Sequence, residues 1–395
     1  MKYDFTTRLS RKEMGAVKWE KMYECNPNVA EDVVPLSVAD MELKNPPEVI
    51  EGLKDFLDET VLGYTGAYPA FEDAVVNWQK KRHQWDIQKE WIVHTQGVVA
   101  AFYAAIRAFT EKGDGVILFR PVYYPFGMAI EDNNRTEVNV PLRNENGSYT
   151  IDFEAFEEAA AKPENKMLIF CSPHNPVGRV WKKEELERLA EIAVKHNIFI
   201  VSDEIWYDFT MPEHPHTVMA TVNEALNKQL IVCTSPSKTF NLAGMVISNI
   251  IIPNKNVREE FTKEILSVRG DMIGILGFKA CELAYTQSEA WLDELLLLIQ
   301  KNQQLVTTYF EEHFPQIKTY PSEGTFLQWV NFEALGMSNE EMEHFLQIEA
   351  EFFTDGGYIF GEEGKGYERI NLALPTDCLH LQLKKLGTAL HKKGF

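Results

Sequence analysis

The feature that most constrains this chain is the alternation running from Trp91 to Ile252. Short apolar runs of four to eight residues take turns with longer amphipathic stretches, and polar residues follow the ends of the apolar runs. Trp91–Thr95, Val116–Phe119, Glu137–Leu142, Lys166–Cys171, Ile198–Val201, Leu230–Cys233 and Met245–Ile252 read as strands. Between them, Val98–Thr110, Phe153–Lys162 and Lys183–His196 carry helical spacing, with Asp152 as a candidate N-cap. Strands alternating with helices of this length indicate an α/β fold, a mostly parallel sheet with helices on both faces. Ligands in such sheets sit at the carboxyl ends of the strands.

The pattern changes near Trp291. A long helical stretch, Trp291–Phe314, leads to Tyr320–Phe332, a helix near Ser338–Gly356, a strand near Glu368–Leu372 and a last helix, Asp377–Lys392. This predicts a large domain over 46–288, a smaller α+β domain over 289–395, and an N-terminal segment, 1–45, packing on the smaller one. The 395-residue length accommodates two such units.

Charge and cysteine usage exclude several functions. Lys and Arg number 39 against 59 Asp and Glu, a net charge of −20 that disfavours nucleic-acid binding. No apolar run approaches the ~20 residues of a membrane span, and the start, MKYDFTTRLS, has no apolar core of a secretory signal. Five scattered cysteines without CxxC spacing argue against a disulfide framework or a zinc knuckle and point to the reducing cytoplasm. His214-Pro-His216 lacks the companions of a metal site, and GxxxxGK[ST] does not occur.

Four features follow strand ends: Gly97 at the head of a helix, Cys171-Ser-Pro-His-Asn-Pro-Val-Gly178, Ser202-Asp-Glu-Ile205, and Thr234-Ser-Pro-Ser-Lys-Thr-Phe-Asn241. Enough chain separates Asn175, Asp203 and Lys238 for a crossover helix each, so the three can meet at one sheet edge. Lys238, among small hydroxyl residues, can form a Schiff base if its amine is partly neutral. Taken alone it reads more readily as a surface lysine in a polar loop. Asp203 can hold a pyridine nitrogen protonated, or simply cap a helix. Asn175 can donate to a phenolate oxygen, or serve only its turn. Ser235 and Ser237, with the N–H groups of Gly97, Val98 and Val99, can hold a phosphate.

Asn, Asp and Lys in this order, each at a strand end, make the chain resemble the fold-type I pyridoxal-phosphate enzymes of the class I/II aminotransferase superfamily. Within it the chain is most similar to the cystathionine β-lyase (cysteine-S-conjugate β-lyase) branch of MalY/PatB type. The residues that carry the likeness are Leu36-Ser-Val-Ala-Asp-Met41, Gly63-Tyr-Thr65, the Asn175, Asp203 and Lys238 segments, and Gly361-Glu-Glu-Gly-Lys-Gly366 leading into Arg369-Ile-Asn371.

The resemblance implies pyridoxal 5'-phosphate as cofactor and an amino acid as substrate. Lys238 is implied as covalent anchor and proton shuttle. Tyr123, in Pro121-Val-Tyr-Tyr-Pro125, would stack on the ring beside it as a second catalytic position. Asp203, Asn175, Ser235, Ser237, Trp206 and Gly97–Val99 are expected as further cofactor contacts. Arg369, with Ala39 and Asn175, would bind the substrate, Arg369 clamping its α-carboxylate. Tyr64 would reach the neighbouring subunit's phosphate, which implies a homodimer with shared active sites. The expected reaction is C–S β-elimination from an S-substituted cysteine. An aminotransferase needs the same residues, and a regulatory protein-binding role on the same fold is a third possibility.

Two positions depart from the family pattern. Trp206 stands where His or Tyr is usual; an indole donates one hydrogen bond and accepts no proton. This leaves Asn175 as the expected main partner of the phenolic oxygen, with Tyr207 directed to the other face. Pro236 stands where many relatives have Gly and removes one N–H.

Overall fold

The computed structural model describes residues 2–395. The first nine strands are β1 Ile92–Thr95, β2 Gly115–Leu118, β3 Thr136–Asn139, a small hairpin of β4 Arg143–Glu145 and β5 Ser148–Thr150, then β6 Asn165–Cys171, β7 Phe199–Asp203, β8 Leu230–Thr234 and β9 Ser248–Ile251. Apart from the hairpin they form one seven-stranded sheet in the order β1-β9-β8-β7-β6-β2-β3. Only β9 runs against its neighbours. The mostly parallel sheet expected from the alternation is therefore present, and the carboxyl ends of β1, β2, β6, β7 and β8 share one edge.

Alternation along the strands divides the core in two. Met167, Ile169 and Cys171 of β6, with Phe199 and Val201 of β7, pack in one apolar cluster with the helices Val98–Phe109 and Lys255–Ser267. Leu168, Phe170 and Ile200 pack in the other, with the helices Lys183–His196 and Ile275–Gln287. This is the two-residue period of a sheet buried on both faces. It puts Asp203, in phase with Phe199 and Val201, on the same face as the helix that starts at Val98.

The remaining strands, β10 Lys318–Thr319, β11 Leu327–Asn331, β12 Asp355–Gly356 and β13 Tyr367–Asn371, make an antiparallel sheet in the order β10-β11-β13-β12. The helices Glu289–His313 and Thr376–Lys393 pack together beside it. Residues 36–45 join this part to the first sheet: Asn371 N–H donates to Leu36 O, and Asn45 Nδ2 donates to the Phe240 and Asn241 carbonyls.

Several elements differ from their predicted extent. The helix expected over Ser338–Gly356 stops early: Asn339–His344 is α-helical and Phe345–Glu349 continues it as a wider turn. Phe352 and Phe353 are then drawn into the core, and the Phe353 carbonyl accepts the Leu36 N–H. Within Tyr320–Phe332, to which the sequence assigns no element, Leu327–Asn331 forms a strand that begins after Thr325, whose φ is +71°. Met245 lies in a short 3-10 turn and Val246 has a φ of +49°, so the strand there begins only at Ser248. Asp152 caps its helix as expected, accepting from Ala155 N–H at 3.1 Å. Among the described residues no helix is long and apolar enough to cross a membrane, and no group of three or more His, Cys, Asp and Glu side chains is placed to hold a metal ion.

Candidate active site

The shared carboxyl edge opens on a cavity of about 640 Å³. Gly97, Val98, Val99, Tyr123, Asn175, Asp203, Trp206, Ser237, Lys238, Arg369 and Ala39 all line it. Residues placed in sequence by five different strand ends and by the smaller sheet thus face one space.

Each wall has a local cause. Gly97 has a φ of +87°, and a Cβ built on it would meet nothing within 4 Å. It leads into the helix Val98–Phe109, whose N-terminus has no side-chain cap, leaving its first N–H groups for an anion. Asp203 ends β7, is 3% exposed, and accepts the Ile205 N–H on Oδ1 at 3.2 Å. Burial raises its carboxyl to about 7, against the Ile205 hydrogen bond and the charge of Lys238. Lys238 sits on the single turn Pro236–Thr239 after β8. Burial first, and then Arg369, lower its amine to about 8, against the pull of Asp40 and Asp203. Its Nζ donates to Ala39 O at 2.8 Å and stands 5.4 Å from the Trp206 ring centroid.

Arg369, 3% exposed on β13, donates from NH1 to Asn175 Oδ1 at 2.9 Å and from NH2 to Asp355 Oδ2 at 2.6 Å. Its Nε is buried and has no partner among the described residues. Because guanidinium only donates, the bond to Asn175 fixes which end of that amide is oxygen. The Asn175 NH₂ group is thereby left to donate elsewhere. Tyr123 meets Phe126 edge-on at 5.7 Å, and burial raises its phenol.

Two predicted positions are not at the cavity wall. Ser235 is fully buried behind Ser237, with its Oγ 2.7 Å from both Ile247 O and Ser237 Oγ, and it accepts the Ser237 N–H as N-cap. Only Ser237 of the pair reaches the cavity. Tyr64 is 98% exposed and outside it. Pro236 occupies the first position of the short helix, where a missing N–H is tolerated. Tyr207 points away, stacked on His83 at 4.0 Å. His216, read as no metal ligand, pairs with buried Glu204 at 2.7 Å.

The cavity also contains residues that sequence reasoning passed over: Lys21, Tyr124, Ile359 and above all Asp355. Asp355 fell within a segment read as helix, and nothing in the local pattern marked it.

The model of the aminotransferase class I and II family matches residues 31–381. The chain belongs to that family. Among relatives of this aminotransferase-family chain, the cystathionine β-lyase PatB of Bacillus subtilis is 35% identical over 98% of this chain and 100% of its own. The crystal structure of cystalysin from Treponema denticola, which contains a pyridoxal 5'-phosphate cofactor, is 51% identical with a TM-score of 0.98, covering 99% of this chain and 100% of that one. The pyridoxal-phosphate-bound C–S lyase of Staphylococcus hominis is 29% identical with a TM-score of 0.90, covering 99% of this chain and 98% of its own.

Proposed function

We propose that the protein is a pyridoxal 5'-phosphate-dependent carbon–sulfur β-lyase acting on S-substituted cysteines such as L-cystathionine. What carries the reading is the convergence of a buried amine, a buried carboxylate and a carboxamide–guanidinium pair on one cavity. The chain around that cavity is similar from end to end to a cystathionine β-lyase.

The residues fit the cofactor group by group. The uncapped helix at Val98, the open space beside Gly97 and the Ser237 side chain suit a phosphate. The Asp203 carboxyl, raised by burial, gains most from a cationic ring nitrogen. The free Asn175 N–H groups suit a phenolate oxygen, Tyr123 supplies a ring to stack, and Trp206 closes the wall beside Lys238. When bound, the cofactor supplies an electron sink that makes the substrate's Cα proton removable. Lys238 would hold the cofactor covalently, and its free amine would take the substrate's Cα proton on Nζ. Arg369 orients the α-carboxylate through its unpartnered Nε and remaining N–H groups, beside Ala39. In the net reaction the Cβ–S bond breaks and water is consumed. Thiol, pyruvate and ammonia are released.

The reading includes a homodimer in which Tyr64 reaches the partner's site. Its support is the exposed run in which Val61, Leu62 and Tyr64 are 84%, 67% and 98% exposed. A reducing, cytoplasmic setting goes with it, supported by five free cysteines, three of them buried.

The deciding experiment adds L-cystathionine to holoenzyme with no keto acid present. Sustained, stoichiometric homocysteine, pyruvate and ammonia are expected. A single turnover that resumes only on adding a keto acid would make the protein an aminotransferase.

Asn175 offers a second check. A hydrogen bond donated to a phenolate lowers that oxygen's pKa, so Asn175→Ala is expected to raise the pH midpoint of the cofactor's visible absorbance by about one unit. Turnover is expected to fall about tenfold or more. An unmoved midpoint would assign the phenolate to Trp206 instead.

A further inference from the structure

The segment Val38–Met41 is held by side chains of the smaller sheet, of the chain just past the Lys238 turn and of the helix Val17–Cys25. Val38 N–H donates to Asp355 Oδ2 at 2.8 Å. Val38 O and Asp40 O both accept from Asn371 Nδ2 at 2.7 Å. Asp40 O also accepts from Lys18 Nζ at 2.8 Å, and Met41 exchanges hydrogen bonds with the Asn241 amide. The carbonyl between them, Ala39 O, is the one that receives Lys238 Nζ. Asn241 lies three residues beyond Lys238, and Asn371 two beyond Arg369. The elements carrying the two site residues therefore also pin this strap.

Val38 has a φ of +50°. A β-branched residue occupies that left-handed region only when its surroundings over-determine it. Asp355 supplies the hydrogen bond at Val38's own N–H. The same Oδ2 accepts from Arg369 NH2, which faces it across the β12–β13 register. One carboxylate oxygen thus joins the strained residue to the guanidinium.

We propose that Asp355 is a positioning residue for the lyase reaction. It locks the carboxylate clamp at Arg369 and the Val38–Ala39 strap, whose carbonyl receives the Lys238 amine, into one unit. The inference rests on the roles given above to Arg369 and Lys238. A displaced Lys238 must present its lone pair to the substrate Cα. A hydrogen bond donated to Ala39 O fixes rotation about the Cε–Nζ bond, and misplacement of about 1 Å is enough to lose most of the rate.

The test compares holoenzymes by kinetics and by amide hydrogen exchange across residues 36–42. Asp355→Ala leaves Arg369 held by Asn175 alone and lets Val38 relax. KM for L-cystathionine is expected to rise about tenfold and kcat to fall about tenfold, with faster exchange in the strap and unchanged cofactor content. Adding Val38→Gly, which adopts a φ of +50° without strain, is expected to recover part of kcat while KM stays high. Asp355→Asn keeps an acceptor oxygen without the charge. It is expected to fall between wild type and Asp355→Ala in kcat and exchange, and it provides the measurement if the alanine variant does not fold. Unchanged exchange in Asp355→Ala, or a kcat that Val38→Gly leaves at the alanine level, overturns the proposal. Absence of lyase turnover in the unaltered holoenzyme would remove the lyase reading alone, because the exchange result still decides whether Asp355 holds the strap.

Discussion

Replacing Lys238 with alanine is expected to lower sustained pyruvate release from L-cystathionine by about 10⁴-fold or more. On the reading proposed above, the side chain has two tasks, covalent attachment of the cofactor and proton transfer at Cα. Trp206, with its ring centroid 5.4 Å from the Lys238 Nζ, offers only an indole N–H. The Arg369 guanidinium is a donor only and cannot act as a base. The amine is suited to its work because burial and the nearby guanidinium bring it down to about 8. Borohydride would no longer fix the cofactor to the variant chain, although Asp203 and the helix at Val98 should still bind it reversibly. Methylamine should restore a measurable fraction of turnover by entering the space left by the side chain. Retention of activity within about tenfold would place the base elsewhere.

Much of this site was legible because strand ends in a parallel sheet are fixed by local signals. Apolar runs located β6, β7 and β8, and the polar residues after them had to fall on one edge. Alternation along β7 put Asp203 on the face of the helix that starts at Val98. Long-range contacts decided the rest. Asp355 meets Val38 across 317 residues, and the left-handed turn at Val38 is imposed by Asp355 and Asn371, not by the residue's own preference. Read on helical spacing alone, the segment before Asp355 continues as a helix. The core's demand for Phe352 and Phe353, and pairing with β13, extend it instead. Ser235 and Ser237 are indistinguishable in sequence as phosphate donors. The single turn that carries Lys238 uses the first as its cap and presents the second to the cavity. Tyr64 is assigned a role only by resemblance, since nothing within one chain covers it.

Asp203→Asn is expected to separate activity from stability more sharply than any other change. The asparagine can keep the hydrogen bond from Ile205 N–H, which spans 3.2 Å in the native chain. It cannot balance a protonated ring nitrogen, so turnover should fall by about 10²- to 10³-fold and the cofactor should dissociate more readily. Without cofactor the effect on folding has the opposite sign. The native carboxyl, ordinarily near 3.8, is raised to about 7 by burial, so above pH 7 the folded chain carries a buried carboxylate that the unfolded chain solvates freely. Between pH 4 and pH 7 the folded state holds the proton that the unfolded state has released, and stability falls as pH rises through this window. The whole penalty, up to about 4 kcal/mol, is present at pH 8. Apo Asp203→Asn should therefore unfold at higher denaturant than apo wild type at pH 8, and the gap should close as pH approaches 4. Adding pyridoxal 5'-phosphate should reverse the order, because only the native carboxylate gains a cationic partner. An apo variant less stable than wild type at pH 8 would mean that the carboxylate is not strained by burial, and that its hold on the cofactor draws on something other than relief of that strain.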